Sequence, residues 1–487
     1  MELELCADPD TVAALSRLKS LTASRDGRPR SQSVKLVWYD SPDHALLADG
    51  LTLTEQRGAR RLERLLPGAE TWLPAQPVPL VAEAPEEAAL PSPLAPLAAF
   101  EGRQTTSVHQ FEAGAVVLTV AKGVLRAVTA EQPVARVWLS GEEPAVRAAM
   151  GLIAGPVAIA VPLASLAAEG IALATGRPVS QRHQGAPALP PEPPGAAGAL
   201  AHILGHLIDV ILANAPLAVR LSGEGPEAVH QMRVAVRRAR SALSIFRVAL
   251  PPGVLDPVVD SLKELGSRLG PVRDWDVFAE ETVPAIRQAL PSDERLERLI
   301  AAAARRRTEC QKALAAYLDS PAFRLVGVEL AWFAAARFWH VVPEAVAGEA
   351  PAAPPELLEF AGQVLQHRWK KLVSLGKRIE ELDIPALHGM RLRAKRARYA
   401  AEMFAALHTG KAPYRFIDRL SVLQQRLGVL NDGAVAKDLL AELGGPGGRH
   451  AYAVGIVIGF LAARAAKIRP RIVRAFERFR RQPAYWA

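Results

Sequence analysis

His230, Arg233, Arg237 and Arg240 recur at i, i+3, i+7 and i+10. At 3.6 residues per turn this spacing places all four along one stripe of a helix. Arg238 adds a further guanidinium beside them. Like charges repel, so such a row is costly unless a polyanion lies along it, and guanidinium is the group best suited to phosphate oxygens. The chain then repeats the arrangement. His388, Arg391, Lys395 and Arg398 stand at the same spacing, each offset by 158 residues, with Arg396 in the place of Arg238. Leu269-Gly270 returns as Leu427-Gly428, Asp274 as Asp432 and Val277 as Val435, so both halves keep a His-to-Asp separation of 44. This is an internal duplication.

A run of basic residues is ordinarily a solvated helix face. Here the spacing is duplicated, the charge is retained at every equivalent position, and neither copy offers the row an acidic partner one turn away. Further basic candidates are Arg368, Lys370, Lys371, Lys377 and Arg378, just before His388. The terminal run Lys467, Arg469, Arg471, Arg474, Arg478, Arg480 and Arg481 fits either a binding surface or a solvated face. The histidines have no second ligand at metal spacing. Each is expected to donate to a phosphate oxygen or to make a helix-start contact, adding charge when protonated. Asp274 and Asp432 are expected to cap helices or to orient an arginine by a salt bridge. Single-strand nucleic-acid binders interleave aromatics with their cations. Here Phe246 lies outside the stripe, Tyr399 beside it, and Phe404 is expected in the core.

A chain of 487 residues, 50% hydrophobic and 22% charged, exceeds one core and implies several domains. Residues 1–198 hold 17 Lys+Arg against 21 Asp+Glu, whereas 199–487 hold 42 against 29. The excess positive charge therefore belongs to the C-terminal part, and so does the anionic partner it implies. Cys6 and Cys310 are far apart and suggest neither a metal site nor a disulfide. MELELCADPD lacks a signal-peptide layout. The uncharged stretch 148–168 is broken by Gly151, Gly155, Pro156 and Pro162, and the apolar stretch 451–463 is short for a bilayer. The expectation is a cytoplasmic protein with no membrane partner.

Residues 1–182 read as a β-rich domain. Strands are expected at Glu2–Leu5, Val34–Tyr39, Leu51–Gln56, Val116–Val120, Gly123–Val128 and Val134–Leu139, with Lys122-Gly123 as a tight turn. Helices are expected at Pro9–Leu21, capped by Asp8 or Asp10, and at Pro144–Ile153. Residues 183–198 are Pro- and Gly-rich and read as a linker. Residues 199–482 read as helical throughout, in halves of about 199–350 and 356–482 with the Pro-rich 351–355 at the seam. Gly270-Pro271 is expected to end one helix and Asp274 to cap the next, with a similar break between Asp418–Leu427 and Ala434–Leu443. Trp332, Phe333, Phe338 and Trp339 mark a buried face in a helix over Arg324–Val341.

The C-terminal part resembles the CHAD family, the conserved-histidine α-helical domain. The resemblance rests on Val229-His230-Gln231-Met232-Arg233, Arg237-Arg238, Arg240, Leu269-Gly270, Arg273-Asp274 and Asp276-Val277. In the second half it rests on Leu387-His388, Arg391, Lys395-Arg396, Arg398-Tyr399, Leu427-Gly428 and Asn431-Asp432. It implies two pseudo-symmetric helical bundles facing each other across a basic surface or pore that binds inorganic polyphosphate, and association with polyphosphate granules in bacteria. The N-terminal part resembles the CYTH family, an eight-stranded triphosphate tunnel. Glu2-Leu3-Glu4, Trp38-Tyr39-Asp40-Ser41-Pro42-Asp43 and Ser165–Leu173 carry that likeness. Cys6, Leu51-Thr52-Leu53-Thr54, Val137-Trp138-Leu139-Ser140, Leu166 and Glu169 stand where the family has its charged residues. Only Glu2 and Glu4 remain as weak metal candidates, too few to orient a metal–triphosphate.

The resulting expectation is an α+β two-domain protein, a degenerate CYTH-like antiparallel β-barrel followed by an all-α CHAD domain. It is a non-enzymatic polyphosphate binder without a cofactor. Its binding set is His230, Arg233, Arg237, Arg238, Arg240, His388, Arg391, Lys395, Arg396, Arg398, Arg368 and Lys371. Granule-associated proteins are further candidate partners. A triphosphatase or polyphosphatase using the tunnel, and a binder of nucleic-acid backbones, are the alternatives.

Overall fold

The computed structural model describes residues 2–65, 90–176, 185–187, 189, 195–220, 223, 225–250, 253, 255–291, 293–336 and 356–486. The chain forms two units. One comprises residues 1–182 with Leu318–Ala335, the other His183–Tyr317 with Ala336–Ala487.

In the first unit, β1 (Glu2–Ala7) is followed by a 3₁₀ turn at Val12–Arg17 and the short α1 (Lys19–Ala23), in place of one helix over Pro9–Leu21. Then come β2 (Arg25–Asp40), α2 (Ala45–Ala48), β3 (Leu51–Gln56), β4 (Ala59–Arg64), β5 (Ala95–Phe111), β6 (Gly114–Ala127), β7 (Glu131–Gly141), α3 (Glu143–Ile153), β8 (Ile159–Ala160) and α4 (Leu166–Thr175). The strands form one antiparallel sheet in the order β4-β3-β2-β5-β6-β7-β1-β8. Eight strands are present, but the sheet is open, which corrects the expectation of a barrel. Its last strand has only two residues, too few to bridge back to β4.

One face of the sheet carries a helix over its central strands. Helix α4, capped by Ser165, packs on β2, β5 and β6. Trp38, Phe100, Leu125, Val134, Leu166 and Ala167 form the buried cluster there. The Asp40 carboxylate, in the Tyr-Asp-Ser-Pro stretch, accepts from the backbone N–H groups of Ser41, Leu46 and Leu47 and so fixes α2.

Lys122-Gly123 is not a turn, because β6 runs straight through it. Gly123 faces Gly102 across the β5–β6 pair, and a Cβ on either would fall within 2.8 Å of the Phe100 ring. Both glycines are therefore required by the aromatic ring lying over them. In the same unit α10 (Pro321–Ala336) meets α3: Arg147 donates to Glu329 and sits 4.4 Å above the Trp332 ring. Trp332 and Phe333 are buried as expected, whereas Phe338, Trp339 and the Pro-rich 351–355 lie outside the described residues.

The second unit is helical: α5 (Gly195–Ala218), α6 (Gly225–Phe246), α7 (Asp256–Val277), α8 (Val283–Ala289), α9 (Glu294–Leu318), α11 (Leu357–Gly376), α12 (Ile384–Phe404), α13 (Ala412–Glu442) and α14 (Ala451–Arg480). The 158-residue offset maps α6 onto α12, α7 onto α13 and α9 onto α14. Their buried positions agree, with Met232 and Met390 both fully buried and Phe246 matching Phe404. Phe246 and Phe404 meet at 6.0 Å between ring centroids, and Phe360 closes the triad at 5.2 and 6.2 Å. The duplicated helices thus pack on each other through equivalent aromatic residues, and burying three such rings is a large stabilising term.

Helix α7 continues through Gly270-Pro271 and α13 through Leu427-Gly428. Asp274 and Asp432 therefore lie inside helices and are not caps, which corrects that expectation. Part of the expected linker is built into the helical unit: Leu189 is buried, and the Gly185 carbonyl accepts from Arg238 at 2.9 Å. Residues 183–184, 188 and 190–194 of it lie outside the described residues. Gly198–Ala218 and Ala451–Arg480 are long and apolar enough to cross a membrane by length and composition alone. The apolar stretch in the former is 67% buried against the protein and in the latter 28%.

Candidate functional site

Helices α6 and α12 pack against one another, and this brings the two basic rows together. On α6 the apolar positions Val229, Met232, Val236 and Leu243 turn into the core, while His230, Arg233 and Arg237 stay half-buried at its margin. On α12 Leu387, Met390, Ala394 and Ala397 do the same, leaving Arg391 and Lys395 half-buried. Alanine dominates the inner face of both helices, so they approach closely and their cations crowd.

The electrostatics record that convergence. Burial lowers the Lys395 ammonium from its usual range to about 7, and Arg391, Arg237, Arg233 and Arg398 push it the same way. Arg391 is lowered by burial and by Arg237, although Asp432 opposes the shift. Arg233 is lowered by burial and by Arg237, Arg273 and Arg391, against the pull of Asp274. Cations from both rows therefore act on each other at short range.

Two of these groups combine a buried, unsatisfied Nε–H with the lack of any ion pair among the described residues. The Nε atoms of Arg237 and Arg391 are buried without an acceptor. Leaving such a donor unsatisfied costs about 1–3 kcal/mol each. No ion pair involves Arg237, Arg391 or Lys395 among the described residues. This triad is the part of the rows that a ligand oxygen would complete.

The flanking positions are tied internally. Arg233 Nη2 pairs with Asp274 Oδ1 at 3.1 Å, so Asp274 orients an arginine, the second of its two expected roles. Gly270 lies beneath that guanidinium, and a Cβ there would come 3.0 Å from Arg233 Nη1. Gly428 stands in the same relation to Arg391, at 4.0 Å. The duplicated Leu-Gly pair thus makes room for the duplicated arginine. Arg238 and Arg398 both pair with Glu402, at 2.9 and 3.2 Å, and flank the buried Tyr399 ring at 5.8 and 5.5 Å. The Arg398–Glu402 pair is an i, i+4 contact, so the row does have a local acidic partner, contrary to the sequence reading. Glu402 is the residue that reading missed, and its position one turn after Arg398 was the available signal.

Arg240 and His388 are exposed. Arg368 donates to the Arg396 carbonyl at 2.8 Å, and its guanidinium is lowered to about 10 by burial and by Arg396. Arg396 and Lys371 are exposed, the Lys371 carbonyl accepting from Arg393. His230 is held below the usual imidazole range by burial and by Arg273, so near neutrality it is a neutral donor or acceptor more than a charge. In the terminal run Arg469 caps the carbonyl of Glu380 at 2.9 Å and Arg480 pairs with Glu477, which makes both partly structural.

The metal candidates of the first unit separate. Glu2 is exposed, whereas Glu4 is buried and paired with Arg136 at 3.1 Å, itself paired with Glu169 at 2.7 Å. Burial raises Glu4 to about 7 despite Arg136. Among the described residues no group of three or more His, Cys, Asp or Glu side chains is placed to hold a metal.

A family model described as "CHAD domain" matches residues 202–441. A crystal structure of the CHAD domain from the plant Ricinus communis is similar at a TM-score of 0.50 and 28% identity, over 61% of this chain and 95% of that one. PptA from Streptomyces chartreusis is 18% identical at a TM-score of 0.43, over 58% of this chain and 99% of its own. Uncharacterized proteins from two strains of Mycobacterium tuberculosis are 28% identical over 221 residues. The alignment spans 44% of this chain and 40% of their own length.

Proposed function

Residues 202–441 belong to the CHAD family, and from that premise we propose that the helical unit binds inorganic polyphosphate along the facing rows of α6 and α12. The observation that carries the reading is the unpaired triad Arg237, Arg391 and Lys395, drawn from both copies of the duplication, with two buried Nε–H groups lacking acceptors. A linear phosphate polymer offers closely spaced oxygens to such donors and needs no stacking surface. The aromatic residue nearest the rows, Tyr399, is buried between Arg238 and Arg398, which favours polyphosphate over an unstacked nucleic acid strand.

The protein acts in this reading as a binder and not as a hydrolase. Glu4 is engaged by Arg136, and α4 packs with Trp38 against β2, β5 and β6. We place it in the cytoplasm at the surface of polyphosphate granules, in company with other granule proteins and without a membrane partner. The test is titration of long-chain polyphosphate into the full chain and into Arg237→Glu/Lys395→Glu, at about 0.15 M ionic strength. Both positions are half-buried at the margin of the core, so circular dichroism monitors folding. A loss of affinity of at least a hundredfold is expected, and unchanged affinity in a folded variant overturns the assignment. Phosphate release in the presence of Mg²⁺ that disappears in Glu4→Gln would overturn the non-enzymatic reading.

A further inference from the structure

A second group of cations lies outside the two rows. A surface cavity of about 470 Å³ is lined by Arg295, Arg298 and Arg305 of α9 and by Arg449, His450 and Tyr452 at the start of α14. On α9 the three arginines fall at i, i+3 and i+10, one stripe of the helix. Among the described residues none of the four guanidiniums has an ion pair. The nearby carboxylates are engaged elsewhere. Asp293 accepts from the backbone N–H groups of Arg295 and Leu296, Glu297 binds Arg287, and Glu442 binds Arg306. Glu294, one turn before Arg298, makes no ion pair with it.

The cations are close enough to act on a common neighbour. The His450 imidazole is held below its usual range by partial burial and by Arg449, Arg305 and Arg298 together. Arg449 Nε also donates to His450 Nε2 at 3.1 Å. α9 and α14 are counterparts under the 158-residue offset and both begin at this cavity, so two positive helix ends add to the repulsion. Among the described residues no ion pair offsets this accumulation of charge.

We propose that this cavity is a second anion site, separate from the rows of α6 and α12, and that it takes a compact oligophosphate. Four guanidiniums match a ligand carrying several negative charges in a small volume, and each can engage phosphate oxygens in a bidentate way. A single carboxylate would leave most of the charge unmatched. One face of the Tyr452 ring is covered by Arg295 at 3.5 Å.

The experiment is calorimetric titration of the full chain with tripolyphosphate at about 0.15 M ionic strength. Arg298→Glu/Arg305→Glu replaces two exposed side chains and leaves the core untouched. It should lose one binding site, whereas Arg237→Glu/Lys395→Glu should keep that site. The proposal is overturned if the Arg298/Arg305 variant titrates as the wild type, or if the Arg237/Lys395 variant binds no tripolyphosphate. Should the reading of the α6 and α12 rows fail alone, the Arg237/Lys395 variant titrates as the wild type while the Arg298/Arg305 variant binds nothing. Orthophosphate should bind at least tenfold more weakly, and ATP comparably to tripolyphosphate. ATP binding far more tightly would mean that a base is read, and would overturn the choice of ligand.

Discussion

Replacing Lys395 by arginine should abolish most of the pH dependence of polyphosphate binding. In the empty protein the Lys395 ammonium titrates at about 7, because it is half-buried among Arg391, Arg237, Arg233 and Arg398. The carboxylates in this region, Asp274, Glu402 and Asp432, are turned to Arg233, to Arg238 and Arg398, and toward Arg391. About nine in ten molecules therefore carry the charge one unit below that pKa, and about one in ten one unit above it. A polyanion along the rows favours the charged form, so binding above neutrality takes up a proton. Affinity should fall as pH rises, by up to about tenfold per unit between the pKa of the empty state and that of the complex. From pH 7 to 9 the limit is about a hundredfold. The interior phosphates of a long polymer do not titrate in this window, and His230, held below its usual range, loses its proton at lower pH.

Stability should run the other way. Unfolded Lys395 keeps its proton to near 10.5, so between about 7 and 10.5 the unfolded chain binds more protons and the empty protein gains stability as pH rises. Calorimetry at pH 8 in buffers of different ionisation enthalpy measures the proton uptake directly. Wild type should take up close to one proton and Lys395→Arg close to none, with the variant binding more tightly at pH 9. Zero uptake by the wild type, or equal pH slopes for the two proteins, refutes the argument.

The two equivalent glycines should respond differently to alanine. At Gly428 a Cβ clears Arg391 at 4.0 Å, so Gly428→Ala should gain about 0.5–1 kcal/mol of helix stability with binding unchanged. At Gly270 the same Cβ meets Arg233 Nη1 at 3.0 Å, so Gly270→Ala should move that guanidinium off Asp274 and weaken polyphosphate binding several-fold. Thermal denaturation and titration of each variant check this. Phe404→Ala opens the aromatic triad at the contact between the duplicated helices and should cost about 3–5 kcal/mol in a denaturant titration. Gly376→Ala would bring a Cβ to 2.1 Å from the buried Phe476 ring and should destabilise by about 1–3 kcal/mol through overpacking, seen as a lowered midpoint in the same titration.

The two-domain class, the duplication and the helical rows were legible because each depends on local spacing. His230 to Arg237 and His388 to Lys395 fall on one helical stripe whatever surrounds them. Features set by contacts distant in sequence were not legible. Strand β5 (Ala95–Phe111) has no clean alternation, and it forms because β2 and β6 pair on either side of it. Lys122-Gly123 has turn composition, yet Gly123 is there to admit the Phe100 ring. Gly270-Pro271 has the composition of a helix stop. Tertiary packing nevertheless carries α7 through it, because Leu269, Gly270 and Val272 are all buried. The open edge of the sheet depends on how few residues β8 contributes, and no periodicity reports that. The cavity of Arg295, Arg298 and Arg305 needed the start of α14 beside α9, a meeting that only the fold supplies.

Duplication explains why the unpaired charge survives at the centre of the rows. A single copy could neutralise its row from its own second helix, as Asp274 on α7 does for Arg233. When two copies face each other, the outer arginines reach carboxylates: Arg233 has Asp274, and Arg238 and Arg398 share Glu402. The inner ones form no ion pair among the described residues, although Asp432 pulls on Arg391, and they face their counterparts. Arg237 meets Arg391 and Lys395 across the contact, and the inner faces beneath them are largely apolar, with Ala235, Ala239, Ala394 and Ala397 among the buried residues. The fold holds these charges in place through apolar packing of Phe246, Phe360 and Phe404, which is insensitive to salt, while the repulsion above is not. A phosphate polymer lying along α6 and α12 would thus meet cations from both halves that, among the described residues, lack an ion pair.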